Sequence, residues 1–453
     1  MTLTGISSTG RGPADTTGTG PAPAPPAGAA VRVLVVGGGM AAARLVHQLA
    51  AAADGTGPRP LRVTVLAEEP HPPYNRVLLA EVLAGRYPPQ VIALPAPAAA
   101  VAWHGGVQVV RIDRGARRVR CGDGREFGYD VLVLATGANP VLPPLRGLFA
   151  PGGSELPDGV HPFRTLDDCA ALAAAVRPGL PAVVVGGGLL GVSAARALAA
   201  CGARVLLAHQ GTHLMDRHLD AEAGALLRDH LTGLGVEVHT ECRARGVRTR
   251  PVNGPDGTAG RRVRAVELAD GHLLDAGLAV LACGVRPRTG LARDAGLDVG
   301  TGIRVDDALR TSDPRIHAVG DCAEHHGTVY GLAGAAQEQA DALARVLTGP
   351  RPTAPAYTGT RALTRLTLSG RDVLDLAAFG ETAPRPGDDV VRLADATRGT
   401  YRKVVVRGDR LVGGVLVGAL GTVGTLARAW EDAEALPSDD GPLLHLLTND
   451  GGS

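Results

Sequence analysis

Val31-Arg32-Val33-Leu34-Val35-Val36-Gly37-Gly38-Gly39-Met40-Ala41-Ala42 is the stretch on which the fold turns. Strand-forming residues fill four of the five positions from Val31 to Val35, and an Ala/Leu-rich helical stretch follows to about Ala53. Between them lies a G-x-G-x-x-A loop. Gly37 permits a tight turn, Gly39 lets the backbone approach a pyrophosphate, and Ala42 allows close helix–strand packing. The helix N-terminus then faces the phosphates. A second apolar strand, Leu61 to Leu66, leads to Glu68-Glu69, where a carboxylate accepts from an adenosine ribose hydroxyl. The spacing from Gly39 exceeds the usual ~20 residues, and the Gly/Pro loop 54–60 absorbs the excess. One such loop still leaves other Rossmann proteins open, methyltransferases among them.

The same grammar returns at Ala182 to Ala208. Gly186-Gly187-Gly188-Leu189-Leu190-Gly191 is a full G-x-G-x-x-G, and its following strand ends in His209-Gln210. That position carries an acid when it reads the NAD ribose and an arginine when it reads the NADP phosphate. Here it carries neither, so His209 reads as a solvated strand-end residue. The choice between NADH and NADPH stays open, with a lean to NADH because no basic cluster follows the strand. Two loops about 150 residues apart describe two dinucleotides on one polypeptide. The chemistry that needs both is hydride exchange between a nicotinamide and a flavin. Short strands such as Val131–Leu134 and 279–281 complete the alternation that predicts parallel α/β layers.

Composition bounds the rest. Of 453 residues, 45% are hydrophobic and 20% charged, and the net charge of +1 argues against a nucleic-acid partner. No apolar run approaches the roughly 18 residues of a membrane span. Six cysteines (Cys121, Cys169, Cys201, Cys242, Cys283, Cys322) stand at least 32 positions apart, so no metal site, iron–sulfur centre or disulfide framework is expected. The expected compartment is the reducing cytoplasm. Residues 1–30 hold nothing large enough to build a core and are expected to be disordered, without the pattern of a signal peptide. From Arg361 the pattern becomes an alternating β pattern. The runs 401–407 and 411–417 flank Gly408-Asp409 as a hairpin, which predicts a separate C-terminal α+β domain over 355–435 and a loose tail over 436–453.

Three further segments carry a resemblance. Tyr129-Asp130-Val131-Leu132-Val133-Leu134-Ala135-Thr136-Gly137, then Cys283-Gly284-Val285-Arg286-Pro287, then Thr311-Ser312-Asp313-Pro314-Arg315-Ile316-His317-Ala318-Val319-Gly320-Asp321 follow in that order. With the two loops they resemble the two-dinucleotide-binding flavoproteins, the pyridine nucleotide–disulfide oxidoreductase superfamily, over about residues 31–345. The resemblance implies two Rossmann-like domains. The FAD domain would span 31–150 and 284–350, with an NAD(P) domain over 155–283 inserted in it. It implies cofactor roles for Gly37, Gly39, Ala42, Glu68, Thr136, Gly137, Gly320 and Asp321 toward FAD, Asp321 at the ribityl chain. Gly186, Gly188, Gly191, His209 and Gly284 are implied on the nicotinamide side.

Within that superfamily, Pro73-Tyr74-Asn75-Arg76-Val77-Leu78-Leu79 and His213-Leu214-Met215-Asp216-Arg217-His218-Leu219-Asp220 are similar to the flavin-binding half of assimilatory NAD(P)H nitrite reductase large subunits. They are equally similar to electron-transfer subunits of nitrate assimilation. This narrower likeness implies Arg76 near the FAD, the backbone at Val109 near the adenine, and a helix starting near Leu332 that aims its N-terminus at the flavin. It implies delivery of electrons to an iron–sulfur protein or a nitrite or nitrate reductase subunit, with residues 355–435 forming a docking surface or a homodimer contact. Three departures stand beside it. The region 72–76 has no redox thiol. The lysine–glutamate pair of ferredoxin-reductase relatives falls on Glu81 and Ser193, so it is expected to be missing. No cysteine-rich iron–sulfur or sirohaem region follows within the 453 residues. No catalytic side chain is nominated, because the cofactor carries the chemistry. The alternatives are a thiol-independent NAD(P)H oxidase, a ferredoxin or rubredoxin reductase, and a non-catalytic flavoprotein redox sensor or assembly factor.

Overall fold

A computed structural model describes residues 30–53, 60–253, 259–349, 357–361, 363–370, 372–418, 420–432, 435–436 and 447. The segment 1–29, the spacer 54–59 and nearly all of 437–453, on which disorder and a loose tail are expected, lie outside the described residues.

Strand Val31–Val36 is the middle of a five-stranded sheet in the order Ile316–Ala318, Val131–Leu134, Val31–Val36, Leu61–Leu66, Ala102–His104. Every pairing is parallel, with Val33 opposite Val63 on one side and Val131 on the other. Such strands are buried on both faces and read as continuous apolar runs, which is why Val33 to Val36 needs no polar alternation. Helices Met40–Ala53 and Ala333–Thr348 pack side by side on this sheet, with Leu45, Leu49 and Leu343 in the core.

The second sheet repeats the plan in the order Val236–His239, Arg204–Ala208, Pro181–Val185, Leu278–Leu281, Val160–Pro162, again all parallel. Its central strand shows how period-two alternation serves two cores. Ala182 and Val184 face helices Leu189–Ala200 and Ala221–Gly233. Val183 and Val185 face an antiparallel ribbon formed by Ala244–Asn253, Ala259–Leu268 and Leu273–Asp275. This ribbon carries no strong signal in the sequence, because its outer positions are arginine-rich and read as loop. The strands Ala138–Pro140 and Val285–Pro287 pair antiparallel where the chain leaves the first sheet and returns to it. The second domain is therefore an insertion in the first, and the α/β architecture with two Rossmann-like domains is the one expected.

The C-terminal sheet is antiparallel, ordered Leu363–Ser369, Val373–Gly380, Arg410–Val417, Thr400–Arg407, Asp389–Asp395. Gly408 turns the expected hairpin at a φ of +61°, the left-handed conformation that glycine tolerates. Both faces of the sheet are covered. Leu376, Ala378, Tyr401, Val415 and Val417 join the core of the second domain, whereas Phe379, Val404 and Leu416 pack under helix Val423–Glu431.

Lys403, which is 2% exposed, fixes this seam. Residues 401 and 403 point to the same face of their strand. There the Tyr401 hydroxyl and the Lys403 ammonium each donate to Asp220 Oδ2 at 2.8 Å. Asp220 also caps helix Ala221–Gly233 by accepting from the Ala223 amide. Burial alone would raise the Asp220 carboxyl, but Lys403, the Ala223 amide and Tyr401 together hold it below the usual aspartate range. A carboxylate depressed in the folded state stabilises above its unfolded pKa, so this contribution is lost as pH falls through its folded value. Asp220→Ala should cost about 3–5 kcal/mol, because it strands a buried ammonium. The double variant Asp220→Ala/Lys403→Met should recover most of that loss in urea denaturation. A single-variant loss under about 1 kcal/mol, the worth of an exposed pair, would show that the seam does not depend on this contact.

Candidate functional site

Both glycine loops sit at the C-terminal ends of their central strands, where open parallel sheets bind ligands. They face one cleft of about 1930 Å³, above the ~1,000 Å³ upper range for a pocket holding one drug-sized ligand. The two loops are built alike. Gly37 has a φ of +116° and packs on the Ala135 carbonyl, and Gly186 has a φ of +111° and packs on the Ala282 carbonyl. A side chain at either would meet that carbonyl.

Gly39 and Gly188 differ from these. Neither takes a left-handed φ. A Cβ on Gly188 would meet no atom of the chain within 4 Å, and one on Gly39 would come only to 3.9 Å from Arg76 Nε. The chain's own packing gives no reason for glycine at either position. Both line the cleft, each just ahead of a helix N-terminus, so the space is a cradle for something else.

Most of the residues singled out in the sequence meet in this cleft: Gly37, Gly39, Glu68, Arg76, Val109, Thr136, Gly137, Gly186, Gly188, His209, Gly284, Gly320 and Asp321. Two do not. Ala42 is fully buried behind the first loop, and a Cβ on Gly191 would strike the Gly186 carbonyl. Both are packing residues that let the helix approach the strand, not groups that reach the cleft.

His209 requires a correction. It is 8% exposed, not solvated, and its Nδ1 accepts from the Gly187 amide at 3.1 Å. Gly187 has no room for a side chain because a Cβ there would lie 2.7 Å from the imidazole. The histidine braces the second loop from behind.

On the first side, the P-Y-N-R segment is an interdomain clamp. The Tyr74 hydroxyl donates to Glu69 at 2.7 Å and accepts from the Leu166 amide at 2.9 Å, which begins a helix of the inserted domain. Burial holds that phenol above its ordinary range. Asn75 caps the turn Arg76–Leu78 by accepting from the Val77 amide at 3.0 Å. Arg76 pairs with Glu69 and donates to the Tyr74 hydroxyl and the Arg164 carbonyl. This places a guanidinium beside Gly39 at the head of helix Met40–Ala53.

Asp321 lies in the turn Gly320–Cys322 and pairs with Arg164. The Gly320 amide donates to Gln339 Oε1 at 2.7 Å, tying that turn to the helix whose first residues, Ala333 and Gly334, line the cleft. Glu68 accepts from Gln108, beside Val109, and pairs with Arg288, whose carbonyl accepts from Thr136 Oγ1 at 3.0 Å. Arg164, Arg288 and Gln339 are the functional neighbours that sequence reading missed. Each acts across more than 150 positions or from the inner face of an amphipathic helix, and none lies in a motif.

At the two positions compared with the lysine–glutamate pair, Ser193 Oγ donates to the Leu189 carbonyl at 2.8 Å and Glu81 turns to a different partner. Glu81 bonds Arg196, one turn beyond Ser193 on helix Leu189–Ala200. Arg196 is 2% exposed, and the pair joins the two domains away from the cleft lining.

Two dinucleotide cradles facing one cleft define an enzyme class that exchanges reducing equivalents between two bound dinucleotides. The model of the pyridine nucleotide-disulphide oxidoreductase family matches residues 31–340, and the chain belongs to that family of FAD-binding, NAD(P)H-dependent oxidoreductases. The chain is 35% identical over 391 residues to a nitrite reductase [NAD(P)H] of Bacillus subtilis, covering 85% of this chain and 45% of that protein. It is 32% identical to the assimilatory nitrate reductase electron transfer subunit of the same organism, over 85% of this chain and 47% of that one. The chain thus spans about half the length of these relatives. Among solved structures, a ferredoxin reductase from Rhodopseudomonas palustris aligns with a TM-score of 0.76 at 27% identity, covering 91% of this chain and 98% of that one.

Two thiols, Cys242 and Cys283, line the cleft, and neither stands in the P-Y-N-R segment. All six cysteines are free. Cys322, next to Asp321, is fully buried with its S–H toward the Leu134 and Val319 carbonyls, and burial pushes its thiol up. Burial likewise pushes Cys169 and Cys283 up to about 11. A thiol with that pKa is only about a thousandth ionised at pH 8, so alkylation should be slow. Iodoacetamide at pH 8 should therefore spare Cys169, Cys283 and Cys322 in the native protein and modify all six in urea, as read by peptide mass spectrometry. Modification of native Cys283 as fast as free cysteine would restore a reactive thiol to the cleft.

Proposed function

We propose that this chain takes FAD in the first cradle and NADH or NADPH in the second, and passes electrons to a separate redox protein of nitrite or nitrate assimilation. The observation that carries this reading is the pair of glycines, Gly39 and Gly188, which the protein's own packing leaves unexplained and which open on a single cleft. A flavin held there would supply the chemistry of accepting the two electrons of one hydride from a nicotinamide and passing them on one at a time.

The chain's residues supply binding, orientation and charge. The Gly39 backbone, the N-terminus of helix Met40–Ala53 and Arg76 would hold the pyrophosphate, since N–H groups, helix dipole and guanidinium all favour an anion there. Glu68 would accept from the adenosine ribose and Asp321 from the ribityl chain, and the backbone at Val109, which lines the cleft, would border the adenine. The N-terminus of helix Ala333–Thr348 would place a positive dipole end beside the flavin, favouring added negative charge. Gly188 and the N-terminus of helix Leu189–Ala200 would hold the second pyrophosphate, with His209 keeping that loop in shape.

The name of one relative, an assimilatory nitrate reductase electron transfer subunit, supports a protein acceptor. The acceptor would be an iron–sulfur protein or a reductase subunit with its own cluster. Six unpaired thiols suit a reducing compartment, the cytoplasm. Among the described residues no helix is long and apolar enough to cross a membrane.

Gly39→Val should abolish flavin retention, whereas Gly188→Val should retain flavin and lose its reduction by nicotinamide, read by absorbance and stopped flow. The reverse pattern would exchange the two cradles, and normal flavin content in Gly39→Val would remove the first one. The 453-residue protein should reduce ferricyanide with NADH or NADPH but leave nitrite untouched until a cluster-bearing partner is added. Replacing all six cysteines by serine should spare that dye turnover in the folded protein, apart from a loss of stability where a buried thiol that serves as a small apolar group gives way to a hydroxyl. Nitrite reduction by the polypeptide alone would refute the separate acceptor, and loss of turnover in a folded, flavin-replete cysteine-free protein would revive thiol chemistry.

A further inference from the structure

Outside the cleft, the register of a two-stranded parallel sheet collects three ligating side chains. Strands Ile303–Val305 and Ala323–His325 pair with Val305 opposite His325. The residues just beyond each strand therefore lie side by side, Asp307 past one and His326 past the other. Asp307 Oδ1 is 2.9 Å from His325 Nε2 and 2.7 Å from His326 Nε2, and the three ligand atoms lie within 4.8 Å of one another.

The arrangement is held from several sides. His325 is 1% exposed, its ring packs on Tyr357 at 4.8 Å, and its backbone closes a turn with Thr328 in both directions. The Tyr357 amide donates to the Asp307 carbonyl at 2.7 Å. His326 is kept at a φ of +47°, a left-handed conformation rare for non-glycine residues, and its ring meets that of His325 at 4.1 Å. Backbone held in such a conformation is a common mark of a functional constraint. Here it turns a second imidazole onto the oxygen that the first already faces.

We propose that Asp307, His325 and His326 form a binding site for a divalent transition metal of the zinc, cobalt and nickel class. Two imidazole nitrogens and one carboxylate oxygen suit these borderline cations better than magnesium or calcium. A tetrahedral ion with bonds of 2.0–2.1 Å spaces its ligand atoms about 3.3 Å apart, between the 2.7 and 2.9 Å from Asp307 to each imidazole and the 4.8 Å limit on the whole set. The cation takes the place of any proton on the two Nε2 atoms, each such proton passing to the ring's Nδ1 or, from an imidazolium, to solvent, with water completing an open coordination shell because Asp307 and His326 are exposed. A bound ion would clip the two strands together directly after the turn that carries Asp321.

The test uses chelator-treated, flavin-loaded protein and zinc chloride, with bound metal counted after equilibrium dialysis and melting followed by circular dichroism. Wild type and His239→Ala, which alters a surface histidine paired only with Glu237, should each bind one zinc at this site and melt higher with zinc. Asp307→Asn and His326→Gly should bind at least tenfold more weakly, since loss of even an outer partner of a metal ligand costs ~10–100-fold. Glycine accepts a φ of +47° without strain, so His326→Gly keeps the fold and isolates the lost ligand. Equal zinc binding by all four proteins, or none by the wild type at zinc tenfold above the protein, would overturn the assignment.

Discussion

Everything in this molecule depends on two close approaches of backbone to backbone. In each nucleotide domain the chain must turn from strand to helix while passing over the carbonyl at the end of a neighbouring strand, Ala135 in one domain and Ala282 in the other. Only a residue without Cβ and tolerant of positive φ can make that pass. Once Gly37 and Gly186 do so, the helices that follow start at the sheet edge with their amides facing outward. The cleft is the space those two turns leave between the domains. The P-Y-N-R clamp, the Arg164–Asp321 pair and the Glu81–Arg196 pair all act on this geometry by fixing one domain against the other.

The parallel α/β layers were legible in the sequence for a physical reason, whereas the insertion of one domain in the other was implied only by the resemblance and the strand order by neither. Parallel strands buried on both faces must be apolar throughout, and the glycine loops must stand at fixed places beside them. Strand Leu61–Leu66, strand Val131–Leu134 and the hairpin at Gly408 were all marked in this local way. The ribbon Ala244–Asn253/Ala259–Leu268 was not, because only one of its faces is buried and its exposed arginines mask the alternation.

The site was legible where its chemistry is carried by backbone and illegible where it is carried by pairs distant in sequence. Nothing near Glu68 announces Arg288, 220 positions away within the same domain, and nothing near Asp321 announces Arg164, since that pair exists only after the domains meet. His209 shows the opposite failure. A polar residue at a strand end reads as solvated, but the side-chain-free Gly187 lets the imidazole pack beneath the loop and accept its amide. Polar residues beside glycine-rich turns are therefore as apt to support the turn as to meet a ligand.

The seam at Lys403 has a meaning beyond stability. It is the sequence's one lysine among 46 basic residues, and the fold buries it in a contact with Asp220. The outer positive charge of the molecule is therefore guanidinium, which stays ionised at all physiological pH and binds carboxylates in a planar fork. The folded chain offers no lysine amine for acetylation or ubiquitin transfer, and regulation through those marks has no purchase on it. A carbodiimide that joins amines to carboxylates would find no lysine with which to tether an acidic partner. Capture of a docked complex falls instead to thiol-directed, arginine-directed or photochemical linkage, or to a partner's own amines on this chain's carboxylates.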